Sequence, residues 1–231
     1  MGAGQDTGAL TWNVALPARR GRQEAISCLK PTACVSLVQD DAEETFRVPI
    51  SVGKELDRLK RQGSLAPRSR NELVFKLREL QERQACLRAT FLLDRRDYSS
   101  KELTDKLRAD GYWSDVTTAC LVRLRDLGLV NDARYADVFV RSKLYAGWGM
   151  AKIERALTQR GVDVGELDGW PDAFIDPEDE GARAFELVAR RRFGGRDPYA
   201  KAVRFLCARG FSAAVAHAAA ARLRDEGLLP S

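Results

Sequence analysis

The stretch Leu103-x-x-x-Leu107-x-x-x-Gly111-Tyr112 returns twice along the chain, as Ile153-x-x-x-Leu157-x-x-x-Gly161-Val162 and as Ala202-x-x-x-Leu206-x-x-x-Gly210-Phe211. Leu107 and Leu157 lie 50 positions apart, and Leu157 and Leu206 lie 49 apart. Apolar residues four positions apart occupy one helix face, and a glycine four further on is typical of the left-handed position that ends a helix. This period predicts a tandem array of small helical units, each of which buries its apolar face on its neighbours.

A second phrase repeats in the same frame. The segment from Leu124 to Val130 (LRDLGLV) returns as Leu223 to Leu229 (LRDEGLL), and each copy starts 13 residues after its glycine, Gly111 or Gly210. Helical arrays present a long surface to a long partner, so the repeat indicates a role in binding.

Composition and charge exclude few functions. The 231 residues are 45% hydrophobic and 31% charged, which is typical of a folded soluble protein. Lys and Arg number 38 against 33 Asp and Glu, so a net charge of +5 is weak support for a polyanionic partner, and a surface of mixed sign explains it equally well. No run approaches the roughly 20 apolar residues of a membrane span, and the start of the chain lacks the pattern of a secretory signal.

The cysteines point to a reducing compartment. The chain has five, without regular spacing: Cys28, Cys34, Cys86, Cys120 and Cys207. The last three lie within apolar helical patterns and are predicted to be reduced core thiols. A cytoplasmic location is therefore expected.

The first 68 residues differ from the rest. Residues 1–30, with a basic run at Arg19, Arg20 and Arg22, are predicted to be a flexible tail. Residues 31–68 are predicted to be a small β-containing segment, in which Ala33 to Val38 and Thr45 to Val52 pair as a hairpin across an acidic turn. Pro49 would place the second strand at an edge or a bulge, and a short helix is expected from Lys54 to Gln62.

The remainder is predicted to be mainly α, as three tandem three-helix repeats. Their predicted bounds are 69–132, 133–180 and 181–231. Helix N-caps are expected at Ser69, at Ser99 or Ser100, and at Asp132, and a new helix is expected to open at Ser114. In the middle repeat, breakers such as Gly169 and Pro171 leave room only for a shortened third helix between Asp163 and Phe174.

The sequence offers no catalytic constellation. The single histidine, His217, lies in an alanine-rich helix, and every Cys–His or Ser–His scheme would depend on it. Gly147-Trp148-Gly149 joins two helices and so fails the strand-to-helix context of a dinucleotide fingerprint. Phosphate loops and paired cysteines at metal spacing are missing, so no enzymatic activity, no cofactor and no metal are expected.

Basic residues recur at matched places. Arg95-Arg96, Arg141 with Lys143, and Arg190-Arg191-Arg192 are predicted in the last turns of the first helix of successive repeats, and Lys101, Lys152 and Lys201 near the start of each repeated helix. Such recurrence predicts a stripe that follows a phosphate backbone or an acidic groove. The alternative is that these cations complement helix dipoles and solvate the surface. Trp113, Tyr145, Trp148 and Trp170, beside loops, suit either base stacking or packing between repeats.

The ordered motifs resemble the RecX family of recombination regulators. They are Tyr98-Ser99-Ser100-Lys101-Glu102-Leu103 to Gly111, Leu127-Gly128-Leu129-Val130-Asn131-Asp132-Ala133-Arg134-Tyr135-Ala136, and Gly147-Trp148-Gly149-Met150-Ala151-Lys152-Ile153 to Gly161-Val162. Asn131 stands where the family pattern has Asp. The similarity covers roughly Ser69 to Leu229, and Val48 to Gly63 is similar to the β-containing region that some members carry ahead of their repeats.

The resemblance implies an elongated, curved molecule of nine helices that modulates the RecA recombinase. It implies binding in the groove of the RecA–single-stranded DNA filament, restraint of ATP hydrolysis, strand exchange and co-protease activity, and a role in DNA repair. A monomer is expected. The contact set that we predict is Arg95, Arg96, Lys101, Arg134, Arg141, Lys143, Lys152, Arg155, Arg190, Arg191, Arg192 and Lys201.

Two alternatives remain open at this stage. Paired short helices resemble helix-turn-helix units, so the chain is alternatively a stand-alone DNA-binding module that needs no RecA. A helical scaffold for some other protein is the third hypothesis.

Overall fold

The structure of the protein is a computed structural model that describes residues 10–17, 30–39 and 42–229. Over these residues the chain is mainly helical with one small antiparallel sheet, which confirms the predicted fold class. The strands are β1 (Thr11–Ala15), β2 (Thr32–Gln39) and β3 (Ala42–Pro49), and the α-helices are α1 (Ile50–Arg61), α2 (Arg70–Leu93), α3 (Ser100–Ala109), α4 (Ser114–Asp126), α5 (Asp132–Tyr145), α6 (Met150–Gln159), α7 (Pro177–Ala189), α8 (Pro198–Arg209) and α9 (Ala213–Asp225). The chain divides into two compact units, Met1–Val130 (unit 1) and Asn131–Ser231 (unit 2).

The sheet of unit 1 contains the predicted hairpin, which is confirmed. β2 pairs antiparallel with β3 on one side and with β1 on the other, so β3 lies at an edge. The second strand was expected to reach Val52, but it ends at Pro49 and α1 begins at Ile50. Val52 and Leu56, four residues apart, are both fully buried, so helical spacing brings this apolar run into the core.

Strand β1 lies inside the segment predicted to be a flexible tail, so that prediction is wrong for Thr11–Ala15. Trp12 is 9% exposed and faces Leu37 of β2, and the Nζ of Lys60 lies 4.8 Å from the centre of its ring. Burial of this large ring holds the strand in place. Outside the described residues lie positions 1–9 and 18–29 of the predicted tail, with Arg19, Arg20, Arg22 and Cys28, and Asp40 and Asp41 of the acidic turn.

Helix α2 is the spine of unit 1. Ser69 caps it as predicted, because its Oγ accepts a hydrogen bond from the backbone N–H of Glu72 at 3.3 Å. The helix contacts α1, α3 and α4, and its leucines join one core that extends to the sheet. Gln81 is fully buried in this core, where its Oε1 accepts a hydrogen bond from the N–H of Trp113 at 3.1 Å.

The repeated phrase forms the same structure three times, in α3, α6 and α8. Its two apolar positions are fully buried or nearly so in every copy. The glycines that follow have φ of +94° at Gly111, +73° at Gly161 and +94° at Gly210, the left-handed conformation predicted for them. The next residue donates its N–H back into the helix: Tyr112 to Leu107 O at 3.2 Å, Val162 to Leu157 O at 3.1 Å and Phe211 to Leu206 O at 3.2 Å. Each repeated helix therefore ends in a Schellman turn whose last residue is buried.

The middle repeat departs from the prediction. Where a shortened third helix was expected, between Asp163 and Phe174, only a 3-10 helix at Val164–Glu166 forms, and turns follow it. Gly169 has a φ of +71° and Pro171 donates no hydrogen bond, so a helix does not extend through them. The described residues hold nine α-helices as the resemblance implied, but α1 precedes the repeats and the middle repeat contributes two.

Helix α5 begins one residue earlier than the cap assignment predicted. Asn131, not Asp132, is its N-cap, and the Oδ1 of Asn131 accepts a hydrogen bond from the backbone N–H of Arg134 at 2.9 Å. Asparagine caps a helix about as well as aspartate, so α5 starts normally although Asn131 stands where the family pattern has Asp.

Within unit 2, the start of α6 meets the end of α8 through the backbone. The N–H of Gly149 donates to Arg209 O at 2.9 Å, and the N–H of Ala151 donates to Gly210 O at 3.2 Å. A Cβ on Gly210 would lie 2.3 Å from the Cβ of Lys152, and a Cβ on Gly149 would lie 2.3 Å from the nitrogen of Phe211. Glycine at both positions is therefore what lets the two helix ends approach.

This joint gives a stability prediction with a matched control. Gly210 and Gly227 are both left-handed, with φ of +94° and +70°, but a Cβ at Gly227 meets no atom within 4 Å. We expect Gly227→Ala to lower the unfolding free energy of unit 2 by about 1–2 kcal/mol, the cost of the left-handed backbone alone. Gly210→Ala adds a steric clash, so the loss should exceed about 3 kcal/mol. Urea unfolding followed by circular dichroism measures both, and equal losses would contradict the steric account.

Candidate functional site

The described part of the chain holds no group of three or more His, Cys, Asp or Glu side chains placed to bind a metal ion. The single histidine, His217, contacts the hydroxyl of Tyr199 through Nδ1 at 3.0 Å. No helix in the described residues has both the length and the apolarity to cross a membrane. The basic residues are therefore the candidates for a binding surface.

Three of the predicted cations recur at equal spacing along the chain, and each contacts an aromatic ring. For Arg95 and Lys143 the ring belongs to the residue four positions earlier, whereas Arg191 contacts a ring of α8. Forty-eight residues separate Arg95 from Lys143, and 48 separate Lys143 from Arg191. Each lies over an aromatic ring, with a distance to the ring centre of 4.3 Å for Arg95 over Phe91, 5.0 Å for Lys143 over Phe139 and 4.6 Å for Arg191 over Phe205. An aromatic face attracts a cation and limits the orientations of a long side chain. The recurrence therefore holds three charged groups in defined places.

The predicted location of these cations is only partly right. Lys143 lies in the last turn of α5, as expected. Helix α2 ends at Leu93 and helix α7 at Ala189, so Arg95, Arg96 and Arg190 to Arg192 follow their helices and do not lie within the last turn. Backbone turns with 3-10-type hydrogen bonds, such as Arg95 N–H to Leu92 O at 3.1 Å, replace the final helical turn there.

In unit 1, two of the three predicted contacts are ion-paired. The Nη1 of Arg96 lies 3.1 Å from Glu102 Oε2, and its guanidinium lies 3.6 Å from the ring centre of Tyr98. Lys101 binds Asp105 one turn further along α3 at 2.5 Å. These pairs lower the charge available to a partner at Arg96 and Lys101, although all three cations, Arg95 included, are exposed.

In unit 2, Trp148 lies between two of the predicted cations. The Nζ of Lys152 is 4.4 Å and that of Lys143 is 5.2 Å from its ring centre. Arg155, exposed on α6, donates from Nε to Ala151 O at 2.9 Å, and Arg134 is exposed in the first turn of α5.

Two further cations of unit 2 are paired along their own helices. Arg141 donates to Asp137 at 2.9 Å, and this hydrogen bond raises the pKa of the Arg141 guanidinium. Arg190 lies 3.2 Å from Glu186. Both are pairs four residues apart on an exposed surface, which contribute little to stability.

The densest cluster is a groove after α7, which we call the basic groove. It has a volume of about 450 Å³. Its lining residues are Arg191, Arg192, Phe193, Gly194, Lys201, Arg204 and Phe205, so four cations and no carboxylate line it. Lys201 donates from Nζ to Gly194 O at 2.7 Å. A cluster of cations attracts an anion, and arginine binds the oxygens of phosphate and carboxylate groups through paired hydrogen bonds.

Sequence reasoning missed two arginines of unit 2. Arg204 lies three residues after Lys201 on α8, and that helical spacing was the signal that places it in the basic groove. Arg183 is half-buried on α7 and donates from Nη2 to the carbonyl of Trp148 at 2.6 Å. Burial lowers the pKa of the Arg183 guanidinium. Arg183 therefore fastens α7 to the end of α5 and is a structural residue.

Comparison with known proteins agrees with this architecture. The family model described as "RecX, first three-helix domain" matches residues 85–124, and "RecX, second three-helix domain" matches residues 131–165. The second match ends inside the 3-10 helix that replaces the third helix of the middle repeat.

Relatives in sequence and in structure carry the same name. The chain is 39% identical over 126 residues to the regulatory protein RecX of Pseudomonas entomophila, a match that covers 52% of this chain and 79% of that protein. It is 43% identical over 131 residues to the regulatory protein RecX of Chromohalobacter salexigens, covering 52% and 80%. A crystal structure of a regulatory protein RecX shares the fold, with a TM-score of 0.55 over 90% of this chain and 96% of that one at 21% identity. The resemblance seen in the sequence is therefore confirmed, and the chain belongs to the RecX family.

Proposed function

We propose that this protein is a non-enzymatic regulator that binds the RecA–single-stranded DNA filament and inhibits its ATPase, recombinase and co-protease activities in DNA repair. The name of its relatives, regulatory protein RecX, supports a regulatory role. The observation that carries the proposal is the basic groove, which is lined by four cations and by no carboxylate. We further propose that the protein acts in the cytoplasm as a monomer of three repeats, whose predicted bounds, 69–132, 133–180 and 181–231, fall near the starts of α5 and α7.

Recurring cations suit this partner because a nucleoprotein filament repeats its own surface. Arg95, Lys143 and Arg191 recur at 48-residue intervals near the end of the first helix of successive repeats, and each contacts an aromatic ring. Of the twelve predicted contact residues, we give most weight to Arg191, Arg192 and Lys201, which share the groove with Arg204. Lys101, Arg141 and Arg190 have acidic partners four residues away along the chain and should contribute less.

The first test is the single-stranded-DNA-dependent ATP hydrolysis of RecA, measured while this protein is titrated in. Inhibition at amounts well below the RecA concentration is expected, because one molecule that caps or breaks a filament affects many subunits. Inhibition only when the two proteins are present in nearly equal amounts would indicate that this protein fills the groove of the RecA filament or competes with RecA for DNA. No effect at any ratio, with DNA binding intact, would contradict the proposal.

The second test separates the basic groove from net charge. We expect Arg192→Glu with Arg204→Glu to raise the half-inhibitory concentration about tenfold or more, because charge repulsion replaces attraction at a polyanion. Both residues are exposed, so the helical circular dichroism spectrum should not change. The matched control is Lys54→Glu with Arg61→Glu, the same charge change on α1 of unit 1. Equal loss in both variants would assign the effect to net charge, and wild-type inhibition in the first would remove the groove from the contact surface.

The same groove favours a second candidate, a DNA-binding protein that acts without RecA. This candidate requires tight binding to single-stranded DNA alone, with affinity falling by about 0.7 log units per log unit of salt for each phosphate contacted. Arg192→Ala with Arg204→Ala should then reduce that slope by about 1.4, since two contacts are lost. Weak binding whose salt slope is unaffected by the variant would favour the RecA regulator.

A further inference from the structure

Two cysteines meet between α2 and α4 of unit 1. The sulfur atoms of Cys86 and Cys120 lie 3.6 Å apart, which is contact distance for two thiols. Both were predicted to be reduced core thiols, and Cys120 fits that description because it is 3% exposed. Cys86 is only half-buried, so one member of the pair is open to reagents in solution.

A cavity of about 420 Å³ gives access to the pair. Both cysteines line it, together with apolar residues that include Leu87 and Leu127, which are 59% and 63% exposed. Glu82, Arg83 and Arg123 are its charged lining residues, and Arg83 lies 3.6 Å from Glu55, so the charges around the cavity nearly balance. The cavity therefore gives a reagent a path to Cys86 and little electrostatic bias.

We propose that Cys86 and Cys120 are a modification site that forms a disulfide when the protein meets a low-molecular-weight disulfide such as oxidised glutathione. The thiolate of Cys86 attacks one sulfur of the reagent, a mixed disulfide forms, and one small thiolate leaves. The thiolate of Cys120 then attacks the Cys86 sulfur and releases the second small thiolate. Two electrons pass from the cysteines to the reagent, and the two thiol protons end on the two small thiols.

The surroundings set the order of these steps. Burial and the neighbouring Cys86 raise the pKa of the Cys120 thiol to about 12, so Cys120 is protonated at neutral pH and is a poor first nucleophile. The more exposed Cys86 therefore reacts first, and Cys120 closes the bond. Because the closing step needs the Cys120 thiolate, its rate should rise as the pH is raised above 7.

The bond would fix the packing on which unit 1 is built. Cys86 and Cys120 are 34 residues apart, so the cross-link closes a loop that includes α3 and its Schellman turn. The sulfur atoms need to approach from 3.6 Å to about 2.05 Å for the bond to form. The oxidised protein would then have a narrower and more rigid cavity between α2 and α4.

The experiment uses the full chain with Cys28, Cys34 and Cys207 changed to Ser, so that only the pair remains. The native protein is incubated with oxidised glutathione, the free thiols are alkylated, and the intact mass is measured. A product that has lost two hydrogens and takes up no alkylating reagent is expected. A mixed disulfide that accumulates without closing, or a native Cys86 that stays reduced while the urea-unfolded chain reacts, would overturn the proposal.

Single substitutions in the same background are the matched controls. Cys120→Ser should stop at one glutathione on Cys86, because the closing nucleophile is missing. Cys86→Ser should react far more slowly, because Cys120 is buried. Equal rates in the two variants would contradict the proposed order.

A second measurement remains decisive if a variant folds poorly. In a fixed glutathione redox buffer, the disulfide fraction of the native protein should correspond to an equilibrium constant at least about tenfold above that of the urea-unfolded chain, since only the fold brings the two thiols together. Equal constants would show that the fold contributes nothing to pairing.

Discussion

The left-handed turn that ends each repeated helix is the constraint on which the architecture depends. Gly111, Gly161 and Gly210 reverse the chain in a conformation that costs other residues about 1–2 kcal/mol. The reversal places an aromatic or β-branched residue immediately after the glycine, where it is buried against the helix just completed. At each of the three sites, the glycine and the residue after it thus close a hydrogen bond to the helix, bury a side chain and set the direction of the chain that follows.

Sequence reasoning succeeded where the determining contacts are local. Helix spacing, glycine ends and serine caps operate within a few residues, and they predicted α2, α3, α4 and α8 closely. It failed where a distant partner decides. Strand β1 is five residues long and depends on burial of Trp12 against a strand some 25 positions away, which no local pattern reveals. The missing third helix of the middle repeat is a failure of a different kind. A helix was expected there by analogy with the other two repeats, but local residues that disfavour a helix decided the outcome.

The candidate site was predictable in outline and not in detail. The recurrence of cations along the chain identified Arg191, Arg192 and Lys201, but it did not include Arg204, whose helical spacing from Lys201 was the available signal. The net charge gave no indication of this surface, because 33 acidic residues nearly balance 38 basic ones. Several of the ion pairs join two residues of the same helix, as in Lys101–Asp105 and Arg141–Asp137. Such exposed pairs are screened by solvent and tell little about partners. The basic groove differs because its lining contains no acidic residue.

The joint between the second and third repeats has a consequence for divergence. Its hydrogen bonds run between main-chain atoms of Gly149, Ala151, Arg209 and Gly210. Main-chain groups are the same in every sequence, so these two hydrogen bonds require only that Gly149 and Gly210 carry no side chain. Arg183 is the side chain that adds to this link, through the carbonyl of Trp148. Substitutions on the exposed faces of these helices therefore leave the main-chain hydrogen bonds in place, so the surface of these two repeats can change what it binds without losing this link.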